Sequence, residues 1–389
     1  MRELRKTGFI ICCSLFVMNS RAQNILAEPL KIAVFAPVYL DSAFADDTYK
    51  LGKNNLPKYL LPGLDFYNGI MLAIDSLNAE QASLEVLFFD SKSVENPIQA
   101  IVEQPELQDV SLIIASFNMR TEIKPLADFA LKKNIPLISA TYPNDGGLTA
   151  NPFFVLMNPT LVTHLNAIYK FMQRNYPMDN ITVFRKKGNL EDMIQNTFSD
   201  LNKKTPGLPL KIKTIELPDS FTTSQVTGYL DSTKQNVIIC GTLNESFGTN
   251  LTKALSGSKS YHVIAMGMPT WDGIKDISKD LEIVYSTPYN FSRSDKLSMR
   301  FTESYKIKLA GRPSDMAFKG FEAMYHFAKL LLKYDKQMIQ HLSGKEFKLF
   351  NDFDIQPVRS DKTSSFPDYL ENKKLYFIRK TDGRIKSVN

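Results

Sequence analysis

The feature that most constrains this chain is an alternation of short apolar segments with longer amphipathic segments. Residues 31–36 form a short, β-rich apolar run that ends at Pro37, and residues 64–78 carry apolar side chains on one face at helical spacing. Near-continuous apolar runs of this length are typical of strands buried on both faces, as in parallel sheets that helices cover. The sequence therefore predicts an α/β protein built from strand–helix units.

The alternation occurs in two successive sets. The first has predicted strands at 31–36, 84–89, 111–115 and 136–139, and the second has predicted strands at 181–184, 211–217, 236–240 and 262–266. A chain of 389 residues exceeds the size of one usual hydrophobic core, which indicates two domains. We assign residues 30–148 and 284–345 to lobe 1, and residues 149–283 and 346–389 to lobe 2.

The amino terminus has the three-part pattern of a secretory signal peptide. Three cationic side chains within the first six residues precede the uncharged, largely apolar run 9–18, and Ser20 and Ala22 supply small residues at −3 and −1. The run is too short for a hydrocarbon core of about 30 Å, which makes a retained anchor the weaker alternative. We predict a signal peptide over residues 1–22, cleaved near Ala22, and a periplasmic or otherwise exported protein.

Charge and cysteine content limit the possible partners. Residues 1–22 carry half of the formal net charge of +6, so the mature chain is nearly balanced and is predicted to bind no nucleic acid and to have no stable membrane insertion. Cys12 and Cys13 would leave with the signal peptide, and lipidation of either remains an alternative with an incomplete motif. Cys240 would then stand alone and is expected to be a buried thiol, with no internal disulfide.

Motifs for catalysis, cofactors and metals are missing from the sequence. The loop after the first predicted strand lacks the glycines of a dinucleotide site, and neither a GxxxxGK[ST] nor a GxSxG segment occurs. The four histidines, His164, His262, His326 and His341, are scattered without ligand spacing. We therefore predict no enzyme activity, no catalytic residues, no cofactor and no metal site.

Binding residues are predicted at the carboxyl ends of the strands, where open parallel sheets hold ligands. The ten candidates are Ser116, Asn118, Arg120, Thr121, Ser139, Thr141, Tyr142, Arg185, Trp271 and Tyr289. Alternatives stay open for several of them. Asn118 or Thr121 would also serve as a helix cap, and residues 143–146 would form a turn without any ligand. Arg185 would also suit a solvated basic turn, and Trp271 would also suit packing between lobes.

The order of these elements resembles the type I periplasmic binding proteins, especially the branched-chain amino-acid-binding proteins that feed ABC importers. The resemblance is carried by residues 31–34, 66–73, 134–139 and 317–323 and extends over nearly the whole mature chain. It implies two Rossmann-like lobes with parallel sheets, joined by a three-segment hinge and closing on a small-molecule ligand. It also implies an ABC permease as partner.

The resemblance assigns roles to some residues and departs from the family at others. Ser139 and Thr141 fit the hydroxyls that hold an amino acid's carboxylate, whereas Arg120 and Arg185 stand where the family has small residues or a Tyr-Gly pair. Glu245 is a candidate for the ammonium partner or an ordinary surface acid. We expect a solute-binding protein for a small polar or anionic, amino-acid-like ligand. An envelope interaction or sensor protein is the alternative, and an enzyme is a weaker third.

Overall fold

The computed structural model describes residues 28–52, 56–274, 281–290, 293–361 and 363–388. The predicted signal peptide, its cleavage near Ala22 and the question of lipidation at Cys12 or Cys13 lie outside these residues. No helix in the described ranges is both long enough and apolar enough to cross a membrane.

Strands in the described residues are, in chain order, β1 (Leu30–Ala36), β2 (Phe44–Ala45), β3 (Thr48–Tyr49), β4 (Leu84–Asp90), β5 (Val110–Ala115), β6 (Leu137–Ser139), β7 (Phe154–Leu156), β8 (Asn180–Arg185), β9 (Lys211–Glu216), β10 (Gln235–Cys240), β11 (His262–Gly267), β12 (Glu282–Thr287), β13 (Ile355–Val358), β14 (Tyr369–Asn372), β15 (Tyr376–Thr381) and β16 (Arg384–Val388).

Helices follow the same alternation: α1 (Leu40–Ala43), α2 (Leu61–Ala79), α3 (Ile98–Ile101), α4 (Ile123–Lys133), α5 (Leu161–Asn175), α6 (Asn189–Lys204), α7 (Thr223–Thr227), α8 (Glu245–Ser256), α9 (Lys296–Leu309) and α10 (Asp315–Tyr334). Short 3-10 turns precede α4, at Arg120–Glu122, and follow β11, at Pro269–Gly273.

Two seven-stranded sheets form the centres of two lobes. The first sheet has the order β13-β14-β7-β6-β5-β1-β4, and the second has the order β16-β15-β12-β11-β10-β8-β9. All neighbouring strands pair in parallel except β13 with β14, β15 with β12, and β16 with β15. The predicted fold class, an α/β protein with two mainly parallel sheets, is confirmed.

The chain passes between the sheets three times. It leaves the first sheet after β7, returns to the first lobe after β12, and leaves again between β14 and β15. Helices α9 and α10 pack in the core of the first lobe, and α5 packs in the core of the second.

The predicted lobe boundaries need correction at each crossing. Strand β7 belongs to the first sheet although residues 149–283 were assigned to lobe 2, and β12 belongs to the second sheet although residues from 284 were assigned to lobe 1. Residues 346–372 include β13 and β14, which also belong to the first sheet. The physical reason is that strand pairing is long-range, so local hydrophobicity does not reveal the sheet that a short strand joins.

Candidate ligand-binding cleft

Asp90, at the carboxyl end of β4, holds the loop that follows β1. Its carboxylate accepts hydrogen bonds from the backbone N–H groups of Val38, Tyr39 and Leu40, at 3.2, 3.2 and 2.7 Å. Tyr39 has a φ of 56°, a left-handed conformation that is costly for a residue other than glycine. The hydrogen bonds to Asp90 stabilise this conformation at the carboxyl edge of the first sheet.

Glu122 occupies the start of α4 with its own carboxylate. It is only 7% exposed, and its Oε2 accepts hydrogen bonds from the backbone N–H groups of Asn118 and Met119, both at 3.0 Å. Its Oε1 lies 2.6 Å from Nζ of Lys92. The amides at this helix start, and the nearest cation, are therefore already paired with an anion that belongs to the protein.

The predicted hydroxyl groups of the first lobe do come together, but they bond to one another. The hydroxyls of Ser116 and Thr141 lie 3.1 Å apart, and Thr141 also donates to the carbonyl of Phe117 at 3.1 Å. Ser139 is fully buried and donates to the carbonyl of Tyr142 at 3.4 Å. These contacts tie the loops after β5 and β6 into one rigid edge.

Asn158 links this edge to the second crossover. Its side-chain NH2 group donates to the carbonyl of Thr141 at 2.6 Å and to the hydroxyl of Tyr289 at 3.3 Å. At the other end of the edge, the side chain of Asn118 donates to the Tyr39 hydroxyl at 2.9 Å. Hydrogen bonds thus engage polar groups along this edge from Tyr39 to the second crossover, although the buried Oδ1 of Asn158 has no hydrogen-bond partner among the described residues.

A cavity of about 440 Å³ lies between the two lobes. Residues 143–145, after β6, line it from the first lobe, and Leu190, Met193, Leu243 and Thr270 line it from the second. The second-lobe residues follow β8, β10 and β11, so the cavity sits at the carboxyl ends of both sheets, where α/β folds hold ligands.

His164 is a buried polar residue on the wall of this cavity. It lies on α5, is 4% exposed, and its Nδ1 is 2.8 Å from the hydroxyl of Ser286. Burial lowers the pKa of His164 from 6.5 to about 3, so the imidazole is neutral near pH 7. The cavity therefore gains no positive charge from this histidine.

No protein-family model matches the chain, and no curated protein matches it in sequence. Solved structures do match. The chain is similar to an ABC transporter substrate-binding protein from Desulfitobacterium hafniense in complex with Leu, with a TM-score of 0.58 and 14% identity over 92% of this chain and 99% of that chain. It is also similar to a branched-chain amino acid ABC transporter periplasmic ligand-binding protein from Burkholderia xenovorans, with a TM-score of 0.62 and 12% identity over 92% and 94% of the two chains.

A third similar structure is a solute binding protein from R. palustris in complex with benzoate, with a TM-score of 0.54 and 12% identity over 93% and 96% of the two chains. The chain has the fold of the type I periplasmic binding proteins. At 12–14% identity, these similarities establish the fold and leave the ligand to be argued from this chain's own residues.

Within this periplasmic-binding-protein fold, Arg185 and Trp271 serve the second lobe itself. Arg185 is 5% exposed, and its guanidinium forms an ion pair with Asp192 and donates to the side-chain oxygen of Gln195 at 2.6 Å. Trp271 is 1% exposed, and its ring packs against Gly267 inside the core. Both side chains are thus engaged within the second lobe, and neither lines the cavity.

Three further candidate residues face solvent, and none of them lines the cavity. The guanidinium of Arg120 lies against Gly147, where an added Cβ atom would come within 2.6 Å of Nη2. Thr121 is exposed in the 3-10 turn before α4, and Glu245, the suggested ammonium partner, is exposed at the start of α8. The cations that favoured an anionic ligand are thus placed elsewhere.

The sequence did not predict a role in the cleft for Glu122, Lys92 or Asn158. The spacing of Met119 and Glu122 is that of a capping box, in which an acid three residues after the cap bonds back to the cap's N–H group. Because the cap residue is Met rather than Ser or Thr, the usual signature was hidden. Lys92 carries no local signal, because its partner is about 30 residues away in sequence.

Metal or thiol chemistry has no support in the described residues. They contain no group of three or more His, Cys, Asp or Glu side chains placed to hold a metal ion. Cys240 is fully buried, and burial raises the pKa of its thiol to about 12. A thiol in this state is a poor nucleophile and acts as a small hydrophobe.

Proposed function

We propose that this chain is an exported solute-binding protein that captures a small ligand between its two lobes and delivers it to an ABC permease. The observation that carries the proposal is the cavity at the carboxyl ends of both sheets, bounded by both lobes. Three crossovers form the connection between the lobes, which is the geometry for hinge closure around a ligand.

Two further observations support this function. The similar structures are substrate-binding or solute-binding proteins, two of them in complex with Leu or benzoate. The amino-terminal pattern of residues 1–22 fits export, with cleavage near Ala22 as a prediction. The hydroxyl groups of the first lobe form hydrogen bonds within the protein, which agrees with a binding role without catalysis. A cleft filled by side chains would favour an envelope interaction protein instead, and the cavity leaves that space open.

The test is ligand-dependent stabilisation and compaction of the mature chain. Thermal unfolding against a metabolite library is expected to yield at least one solute that stabilises the protein, by about 2.7 kcal/mol at a hundredfold excess over its Kd. Small-angle X-ray scattering is expected to show a smaller radius of gyration with the same solute, because the lobes close.

A pair of tryptophan variants tests whether the solute binds in this cavity. Leu243→Trp places a large ring in the cavity and is expected to abolish both effects, whereas Leu208→Trp is expected to leave them unchanged. Leu208 is 56% exposed and lies outside the cavity. A protein that no solute stabilises or compacts would contradict the proposed function.

A further inference from the structure

We propose that the cavity between the lobes selects an uncharged, mainly apolar small molecule with one hydrogen-bonding group, in preference to an α-amino acid or another small ion. This inference rests on the proposed function, because it names the class of ligand that the same cavity would hold.

The first argument is the apolar wall of the cavity. Leu190, Met193 and Leu243 face it from the second lobe, and Leu161 and Val162 face it from the start of α5. Leu190 is 39% exposed and Val162 is 50% exposed, so apolar surface is open to solvent here. An apolar ligand that covers it gains free energy in proportion to the area removed from water, whereas the charged group of a ligand gains nothing from such a wall.

The second argument is the charge of the lining. None of the cavity's lining residues, all of which belong to the described chain, is Lys or Arg, and Asp145 is the one acid among them. The Asp145 carboxylate already accepts a hydrogen bond from the N–H group of Gly147, at 2.9 Å. An anion would therefore meet a carboxylate and no cation, and a cation would meet an acid whose hydrogen-bonding capacity is partly used.

The third argument is that the start of α4 in the first lobe is not open to a ligand carboxylate. Glu122 takes the two backbone N–H groups before α4 and pairs with Lys92 at 2.6 Å. A ligand carboxylate would have to displace this buried acid, which would then lose both its hydrogen bonds and its counter-charge. The Ser116 and Thr141 hydroxyls are also engaged with each other.

The fourth argument is an unpartnered hydrogen-bonding group in the lining of the cavity. The Thr270 hydroxyl oxygen is buried and has no hydrogen-bond partner within the described chain, although the residue lines the cavity. Leaving such a group unpaired costs free energy, which a hydrogen bond to a ligand hydroxyl or carbonyl would recover. An unpartnered hydroxyl in a mainly apolar cavity of about 440 Å³ suits a small neutral molecule.

The test compares probes that share a ring and differ in charge. Benzyl alcohol, benzylamine and benzoate carry a neutral, a cationic and an anionic group, and leucine represents the α-amino acids. Calorimetric titration of the mature chain at pH 7.5 is expected to give at least tenfold tighter binding of benzyl alcohol than of the other three.

Two variants locate the binding in this cavity. Leu190→Asn is expected to weaken benzyl alcohol binding by about tenfold, and the matched control Leu208→Asn, at an exposed leucine outside the cavity, is expected to change nothing. Thr270→Val is expected to weaken benzyl alcohol by about fivefold and to leave the binding of toluene, which has no hydroxyl, unchanged.

Preference for a charged probe, unchanged binding in Leu190→Asn, or no measurable binding of benzyl alcohol would each overturn this inference. If another solute from the library still stabilises and compacts the protein, the proposed function stands although the inference falls. If no solute does so, the proposed function falls as well.

Discussion

The carboxylate of Glu122 occupies the start of α4, where a ligand carboxylate would otherwise bind. Two backbone N–H groups donate to its Oε2 and Lys92 forms an ion pair with its Oε1, so the buried acid has its own partners within the protein. A single acid at this position thereby occupies two backbone N–H groups that a ligand anion would otherwise bind. The cavity's preference then depends on the apolar residues of the second lobe.

His164 is the residue whose titration is expected to limit stability in acid. Its pKa is about 3 in the folded protein against an ordinary value of 6.5, so the unfolded chain takes up the proton first as pH falls. Stability is therefore expected to decrease from about pH 6.5 down to about pH 3, with about 2 kcal/mol lost between pH 7 and pH 5. Urea unfolding at several pH values measures this loss.

Two histidine variants distinguish the titration of His164 from the general effect of acid on the stability of the protein. His164→Asn is expected to lose about 2 kcal/mol less than the wild type between pH 7 and pH 5. His262→Asn is expected to follow the wild type, because His262 is exposed at the start of β11. Equal pH dependence in His164→Asn and the wild type would contradict the assignment.

At the scale of elements, α2 and α10 pack at a contact that requires two glycines. A Cβ atom on Gly69 would lie 2.0 Å from the carbonyl oxygen of Ala317, and a Cβ atom on Gly320 would lie 2.2 Å from that of Phe66. Both glycines occur in segments that carried the family resemblance. The reciprocal contact explains why each helix has a glycine at its buried face.

Gly320→Ala is therefore expected to destabilise the protein by about 2 kcal/mol, because the helices must separate to admit a methyl group. Gly257→Ala is the matched control, since the nearest atoms to an added Cβ there are 3.6 Å away and the backbone has an ordinary φ of −69°. Chemical denaturation measures both free energies. A neutral effect of Gly320→Ala would show that the helices are not in this close contact.

At the scale of the whole molecule, Glu371 joins two of the three crossovers. Its carboxylate accepts hydrogen bonds from the N–H group of Thr160, at 2.7 Å, and from the hydroxyl of Thr163, at 2.7 Å, and it pairs with Lys373. Thr160 lies on the first crossover and Lys373 on the third. The acid, which is 1% exposed, thus fixes the position where the lobes meet.

Loss of this charge is expected to weaken the connection between the lobes. Glu371→Gln keeps the size of the side chain but loses charge-assisted hydrogen bonds, and we expect a cost of about 2 kcal/mol in unfolding free energy. Glu85→Gln, in the exposed pair with Lys31 at 3.8 Å, is the control with an expected cost below about 1 kcal/mol. Similar costs for the two variants would contradict a special role of Glu371.

The sequence by itself determined the class of fold. Local periodicity and apolar runs identified strands such as β1, predicted at 31–36, and the helix α2, predicted at 64–78, because these signals depend on neighbours in the chain. The same signals predicted two sheets and their parallel character. They also placed candidate residues such as Ser116, Asn118 and Thr141 at the carboxyl edge of the first sheet.

Only the tertiary structure decided which sheet β7, β12, β13 and β14 join, because strand pairing depends on partners far away in the chain. It also decided which polar groups are available to a ligand. Arg185 and Glu122 are both charged residues near strand ends, yet each is neutralised by partners that the sequence does not reveal. What remains open is an apolar cavity, because hydrogen-bond satisfaction is a property of the folded molecule and not of a motif.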